Sequence, residues 1–301
     1  MAFAPAAFFI FLVVLFTTSL AHAGPDAPYY DKPDGPLSYN FYDKSCPNLG
    51  MMGCEGSVLL DDTKDFKGEK NALPNRNSAR GYEVIDSIKA DVEKYCPSTV
   101  SCVDILALAA REAVVMSGGP FWPVLLGRLD GLSASEKSAN EQLFEVRKSR
   151  IYQVLFKALV GFWAGAHTIG FAQCFTFKRR LFNYKGTGKP DPSLDSSFLS
   201  NLQTLCPNVD KSNTKLTALD SQTINRFDNM YYKNIVNNTG LLESDQALIG
   251  DPKTASMVKD YSADPFLFAK DFAASMVKLG KLGVITGQDG QIRKKCSAVN
   301  L

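Results

Sequence analysis

The sequence predicts a mostly α-helical protein whose fold is reinforced by disulfides. Apolar residues recur at helical spacing in several segments, whereas strand-like runs such as 124–126 are few and short. Seven cysteines follow an amino-terminal segment of secretory character, so they lie where disulfides persist. With 301 residues, 45% of them hydrophobic and 21% charged, the chain is long enough for one large domain or two modest ones.

Residues 1–23 are predicted to form a secretory signal peptide. An unbroken apolar run over 8–16 precedes Ala21-His22-Ala23, a small-x-small cleavage pattern. The run is too short to span a bilayer, which argues against the alternative of a membrane anchor. A formal net charge of +2 gives no support for binding nucleic acid or a membrane surface. We therefore expect a secreted, extracellular protein with one domain over 24–301.

In the first half of the chain, two helices are predicted. Apolar residues recur at helical spacing over 82–92, and Cys96-Pro97 ends this helix. The second helix covers 101–116 and is apolar on nearly every face, which is typical of a buried helix. Asp104 lies inside it and therefore needs a partner, for which Arg128 is the candidate.

The second half of the chain also reads as helical. Residues 144–164 are basic and then apolar and aromatic, without clear caps or a polar face. A helix carrying His167 follows, and a polar loop rich in Gly and Pro covers 183–197. The remaining helices are expected at 199–205, around 230–236, and after Asp264-Pro265, which opens a last long helix.

His167 is the candidate functional residue. The chain has two histidines, and His22 lies in the predicted signal peptide, so the mature chain keeps one imidazole. A metal ligand, a base or a proton shuttle would have to be His167. One alternative is a hydrogen-bonded core histidine. A structural zinc site using Cys54 and His167 is another, but the sequence lacks paired metal-ligand spacing.

Six motifs in order resemble those of one family, the plant secretory (class III) haem peroxidases. They are LSYNFYDKSCP at 37–47, SVLLD at 57–61, SCVDILALAAR at 101–111, GAHTIG at 165–170, FDN at 227–229 and GQIR at 290–293. The resemblance covers 37–143 and 165–301. It implies the helical haem peroxidase fold and a monomer that uses haem b and calcium. The implied activity is oxidation of small phenolic donors by hydrogen peroxide, with roles in peroxide removal and oxidative stress.

The resemblance also implies roles for individual residues. His167 would be the proximal ligand to haem iron, and Asp245 would accept the other ring N–H, which makes the imidazole a stronger electron donor. Without the resemblance, Asp245 would be interpreted as a helix cap. The proximal calcium site would use hard oxygen ligands from Thr168, Asp220, Thr223, the Arg226 carbonyl and Asp228. A solvated turn is the alternative for Asp220 and Asp228.

We also expect the disulfides and the glycosylation that are typical of secreted proteins. The family pattern implies the pairs Cys46–Cys96, Cys102–Cys296 and Cys174–Cys206, and it leaves Cys54 unpaired. The second pair closes the longest loop and should contribute on the order of 5 kcal/mol in the chain-entropy model. Asn237 begins an Asn-Asn-Thr sequon and is the candidate glycosylation site.

The sequence departs from the family between Cys46 and Cys54. The two helices that the family has there, carrying the distal His and Arg, have no counterpart, so no distal catalytic residue is identified. Asn75, which would orient the distal His, has nothing to orient. Of the distal calcium site a remnant is expected, which comprises Gly53, Glu55, Ser57 and Glu69.

A second departure is the atypical insert at 144–164, where the family has Pro-rich chain and a helix. Both breaks are abrupt, which suggests a skipped exon and an altered reading frame or retained intron. One positioned acid–base group contributes about 10²–10⁴-fold in rate, and an electrostatic stabiliser contributes a similar factor. The alternative function is therefore a non-catalytic or unstable variant that at most binds haem and calcium.

Overall fold

The computed structural model describes residues 37, 56–73, 75–145, 164–281 and 284–300, with side chains of 141–145 left aside. All of them belong to one compact unit, Gly35–Leu301. The signal peptide at 1–23, the break between Cys46 and Cys54, and most of the insert at 144–164 lie outside the described residues. Their predictions therefore stay predictions.

Helices dominate the described residues, which confirms the mostly α prediction. The α-helices are α1 (Tyr82–Tyr95), α2 (Cys102–Met116), α3 (Glu136–Glu145), α4 (Cys174–Phe182), α5 (Ser196–Leu205), α6 (Met230–Val236), α7 (Glu243–Gln246), α8 (Pro252–Ala263) and α9 (Pro265–Leu279). Short 3₁₀ helices occur at Ser57–Leu59, Glu69–Asn71, Gly165–Thr168, Tyr184–Gly186, Asp210–Ser212 and Ala247–Ile249. Strands β1 (Phe171–Gln173) and β2 (Leu216–Ala218) pair antiparallel.

The main core lies among α1, α2, α6, α8 and α9. Aromatic rings fill its centre, each at most 4% exposed: Phe227, Tyr231, Tyr232, Tyr261, Phe268 and Phe272. Phe227 and Phe268 stack with ring centroids 5.3 Å apart, and most of the other ring pairs meet edge to face. Offset and edge contacts of this kind add stability beyond the area they bury. Asn229 joins the start of α6 to the end of α8 through bonds to the Tyr261 and Ser262 carbonyls.

A second, smaller core lies between α4 and α5. The Cys174–Cys206 disulfide and the buried side chains of Phe177, Leu181, Leu194, Leu202 and Leu241 form it. Arg180 crosses beside it, with its Nε 2.6 Å from Asp191, and both side chains are at most 3% exposed. A buried pair of this kind is costly to break from one side, because the remaining charge loses its partner.

The carboxyl-terminal segment is joined to the start of α2. Asp130 accepts hydrogen bonds from the backbone N–H groups of Cys102, Val103 and Arg293. The Cys102–Cys296 disulfide links the same two regions across 194 residues of sequence. Cys96 is also disulfide-bonded, while Cys46, its expected partner, lies outside the described residues.

The predicted partner of Asp104 is confirmed. Arg128 Nη1 lies 2.7 Å from Asp104 Oδ1, and both side chains are almost fully buried. The final helix begins as expected at Pro265, with Asp264 capping the Phe266 and Leu267 N–H groups.

At 124–126 a single β-bridge residue, Leu126, takes the place of a strand, and the segment packs into the main core outside the two-stranded sheet. His167 lies in a helix, as predicted, and the helix that carries it, Gly165–Thr168, is a short 3₁₀ helix that ends at Ile169. Gly170 then adopts φ +101°, which other residues rarely reach, and the chain continues as β1 before α4 begins.

Candidate functional site

Close packing before His167 sets the position of its backbone. At Gly165 a Cβ atom would lie 2.6 Å from the Phe268 ring and 2.8 Å from the Tyr232 hydroxyl. Only glycine fits there, so the turn carrying His167 rests directly on the aromatic core. After Gly170, strand β1 pairs with β2 at 216–218. The loop that follows β2 contains Asp220 and therefore begins near the segment that carries His167.

Asp245 contacts the His167 ring. Nδ1 of His167 lies 3.1 Å from both carboxylate oxygens of Asp245, whose side chain is 4% exposed. Asp245 lies within α7, and its neighbour Gln246 holds that helix in place by bonding the Ile235 carbonyl and the Gly240 N–H. The carboxylate therefore binds a side chain 78 residues away and is not a helix cap.

The electrostatics of this pair favour an Nδ1–H donor. Burial lowers the pKa of His167, but the Asp245 charge and hydrogen bond outweigh it and raise the pKa above its ordinary value. Because Nδ1 is directed at the carboxylate, Nε2 is the ring nitrogen left to bind a metal. The side chain is 33% exposed and bonds Asp245 through Nδ1.

Tyr231 completes the surroundings of the imidazole. Its ring lies edge-on to His167, with centroids 6.2 Å apart and an interplanar angle of 79°. The Tyr231 hydroxyl is buried, with the Asp245 carboxylate beside it. Sequence analysis missed this residue, although Asp228, Tyr231 and Asn234 recur every three positions and so share one face around α6.

The residues expected to bind calcium meet beside His167. The Thr223 hydroxyl lies 3.2 Å from Asp220 Oδ2 and 3.0 Å from Asp228 Oδ1. The Thr168 hydroxyl donates to the Asp228 carbonyl at 2.7 Å. Arg226 places its Nε 3.6 Å from Asp228 Oδ2, and its side chain is 75% exposed.

The Asp220 carboxylate fits a cation site. It is 0% exposed, so the alternative of a solvated turn does not hold for it. Its described partners are neutral: the Gln222 and Thr223 N–H groups, the Thr223 hydroxyl and the Asn234 amide. A buried carboxylate without a positive neighbour needs compensating charge. The donor set of carboxylate, hydroxyl and carbonyl oxygens suits calcium.

Within the described ranges, no three or more His, Cys, Asp and Glu side chains cluster in a way that would hold a metal ion. The calcium assignment therefore depends on hydroxyl and carbonyl oxygens as well as on two carboxylates. For the zinc alternative, Cys54 lies outside the described residues.

Of the expected distal calcium site, Ser57 and Glu69 are described, and Gly53 and Glu55 are not. Ser57 and Glu69 begin two short 3₁₀ helices that pack against each other. The Asn75 side chain donates to the Glu69 carbonyl at 3.0 Å. This segment is therefore ordered by its own hydrogen bonds.

Comparison with known proteins identifies the family. A family model described as Peroxidase matches residues 34–264. Peroxidase 10 of Arabidopsis thaliana is 53% identical over 299 residues, covering 86% of this chain and 85% of its own length. The chain belongs to the peroxidase family. Peroxidase 4 of Vitis vinifera is 41% identical and covers 88% of this chain, and Peroxidase 15 of Arabidopsis thaliana is 38% identical and covers 97%.

Family membership makes the chain a peroxidase-type oxidoreductase, with hydrogen peroxide and an electron donor as the reactants of its family. The relatives named above are plant peroxidases. Within the described residues, no helix is both long enough and apolar enough to cross a membrane.

Proposed function

We propose that the chain is a secreted haem peroxidase that binds haem b through Nε2 of His167. The observation that carries the proposal is the contact of His167 Nδ1 with both oxygens of the buried Asp245. A hydrogen-bonded carboxylate fixes the ring orientation and tautomer of a metal-bound histidine and raises its basicity. When bound, haem supplies the two-electron reduction of hydrogen peroxide and then takes single electrons from small phenolic donors.

The residues around the ring have distinct tasks in this proposal. Asp245 keeps the Nδ1 proton on the side away from the metal, so Nε2 presents its lone pair outward. Gly165 holds the ligand turn against the core, and the Tyr231 ring restricts rotation of the imidazole. Calcium bound by Asp220, Thr223, Asp228, Thr168 and the Arg226 carbonyl would neutralise the buried Asp220 carboxylate and the partly exposed Asp228 carboxylate.

We further propose that peroxide activation is slower than in intact relatives. Outside the signal peptide the sequence contains no histidine besides His167, so no imidazole is available as a distal base. The alignment with Peroxidase 10 has 299 positions, but only 86% of the 301 residues of this chain take part in it. The remaining positions are filled by Peroxidase 10 alone, which supports the absence of a segment that this relative has. Loss of one positioned base costs about 10²–10⁴-fold in rate.

The absence of a second histidine from the predicted mature chain also supports a second candidate function. A chain with the proximal residues alone would bind haem and calcium without turnover. It differs from the first candidate in one measurable property, the reaction of the bound haem with hydrogen peroxide.

The test is haem titration of the chain from residue 24, monitored by the Soret band. We expect stoichiometric uptake that is lost in His167→Ala and restored by added imidazole, which refills the ligand position. Uptake by His167→Ala without imidazole would refute the assignment of the ligand. Stopped-flow mixing with hydrogen peroxide and a small phenol then separates the two candidates, since turnover supports the first and bleaching without turnover the second.

Three further expectations remain part of this proposal. The signal peptide would direct the chain to the extracellular space as a monomer. Asn237 is exposed at the end of α6, a position accessible to a glycan. Cys54 would be an unpaired thiol, which alkylation of the unreduced protein followed by peptide mass spectrometry would detect.

A further inference from the structure

Three tyrosine rings form a continuous path from the His167 ring toward α9. The Tyr231 centroid lies 6.2 Å from that of His167, Tyr232 lies 5.0 Å from Tyr231, and Tyr261 lies 5.1 Å from Tyr232. None of the three is more than 2% exposed. Aromatic rings in contact pass electrons readily, and tyrosine is among the few side chains that a strong biological oxidant oxidises.

The path ends at a proton acceptor. The Tyr261 hydroxyl donates to Asp271 Oδ2 at 2.9 Å, and Asp271 is a half-buried residue of α9. Burial and the neighbouring Asp271 charge raise the pKa of Tyr261 well above its ordinary value, so the phenol keeps its proton in the resting state. An oxidised phenol is strongly acidic, and Asp271 is positioned to accept the proton that it releases.

Phenylalanine fills the rest of this core, where Phe227, Phe268 and Phe272 pack without hydroxyl groups. The three tyrosines of the path carry phenols instead, and a phenol can lose an electron together with a proton.

We propose that Tyr231, Tyr232 and Tyr261 conduct single electrons to haem held on His167, with Tyr261 as the residue that is oxidised. The electrons come from the surface formed by α8 and α9, which we call the α8–α9 face. The inference rests on the proposed haem site. In this step Tyr261 loses one electron through the other two rings to haem oxidised by hydrogen peroxide, and its phenolic proton moves to Asp271.

The cycle closes with an external one-electron donor. A phenol too bulky to reach the haem docks on the surface over Tyr261, which is itself 2% exposed, and gives one electron to the oxidised ring across that short distance. Asp271 returns the proton. The donor releases its own proton to water. The α8–α9 face would therefore be a second site for donor oxidation.

The path is tested without relying on peroxide activation. Zinc protoporphyrin replaces haem, and a light flash with hexaammineruthenium(III) as electron acceptor leaves the porphyrin oxidised by one electron. We expect a tyrosyl radical in the electron paramagnetic resonance spectrum that is lost in Tyr261→Phe. The matched control is Tyr95→Phe, which alters a tyrosine that is 81% exposed at the end of α1, and it should keep the signal.

A second variant covers the case in which Tyr261→Phe folds poorly. Asp271→Asn keeps a hydrogen-bond acceptor but takes up no proton, so the radical yield should fall while porphyrin binding is unchanged. Porphyrin uptake with an undiminished radical in both variants overturns the inference and leaves the proposed haem site intact. No porphyrin uptake by the unmodified chain overturns both.

Discussion

Replacing Asp245 by Asn separates the charge of the carboxylate from its hydrogen bond. The amide oxygen of Asn still accepts from Nδ1–H of His167, but the negative charge is gone. The contact is buried on the Asp245 side, at 4% exposed, so water does not substitute for the lost charge. Loss of a carboxylate that supports a metal-bound histidine typically costs about 10–100-fold in affinity or activity, which corresponds to about 1.4–2.7 kcal/mol.

The assay is haem affinity, measured by competition with a haem-binding protein of known affinity and read at the Soret band. We expect Asp245→Asn to weaken haem binding by about 10–100-fold. Glu243→Gln is the matched control, because Glu243 lies on the same short helix but pairs with Arg179, with its side chain 38% exposed. An exposed pair contributes about 0–1 kcal/mol and does not touch His167.

Equal haem affinity in Asp245→Asn and the unmodified chain would refute the reasoning, because the carboxylate would then have no influence on the ligand. Equal losses in both variants would also refute it, since the effect would then come from disturbing α7 rather than from the charge at His167.

The other predictions concern stability. Asp104→Asn should lower the free energy of unfolding in urea by about 3–5 kcal/mol, since it leaves the buried Arg128 charge unpaired; a loss under about 1 kcal/mol would contradict this. Burial raises the pKa of Asp191, but the Arg180 hydrogen bond and its other partners outweigh it and hold that pKa below its ordinary value. The ionised Asp191 therefore stabilises the folded protein above its unfolded-state pKa, and this stabilisation is lost as pH falls through its folded-state pKa. Asp191→Asn should accordingly destabilise the protein at neutral pH but not in strong acid. Chelating calcium present at 100 times its Kd should cost about 2.7 kcal/mol and lower Tm, and Asp220→Asn should abolish this calcium dependence.

The helices that sequence analysis predicted share strong local signals. Apolar periodicity located α1 and α2, and the Asp-Pro cap located α9. The same cap precedes α8, where Asp251 bonds the Lys253 and Thr254 N–H groups, but that helix was not predicted. Asp104 was correctly expected to have a charged partner, because an apolar helix cannot leave a carboxylate unpaired.

Strands β1 and β2 were missed because each has three residues, too few to show an alternating pattern. The end of the short helix that carries His167 was not predicted either. It depends on extended backbone at Ile169 and on a positive φ at Gly170, which composition does not reveal.

The sequence by itself determined that a single histidine follows the predicted signal peptide, and its ordered motifs placed the chain among the peroxidases. Only the tertiary structure decided that Asp245 contacts that histidine across 78 residues, and that Asp220 is buried without a described positive partner. The Tyr231–Tyr232–Tyr261 path also became visible only there. The physical reason is range: hydrogen bonds and ring contacts act over a few ångströms, and the packing of α6 against α8, rather than local sequence, sets those distances.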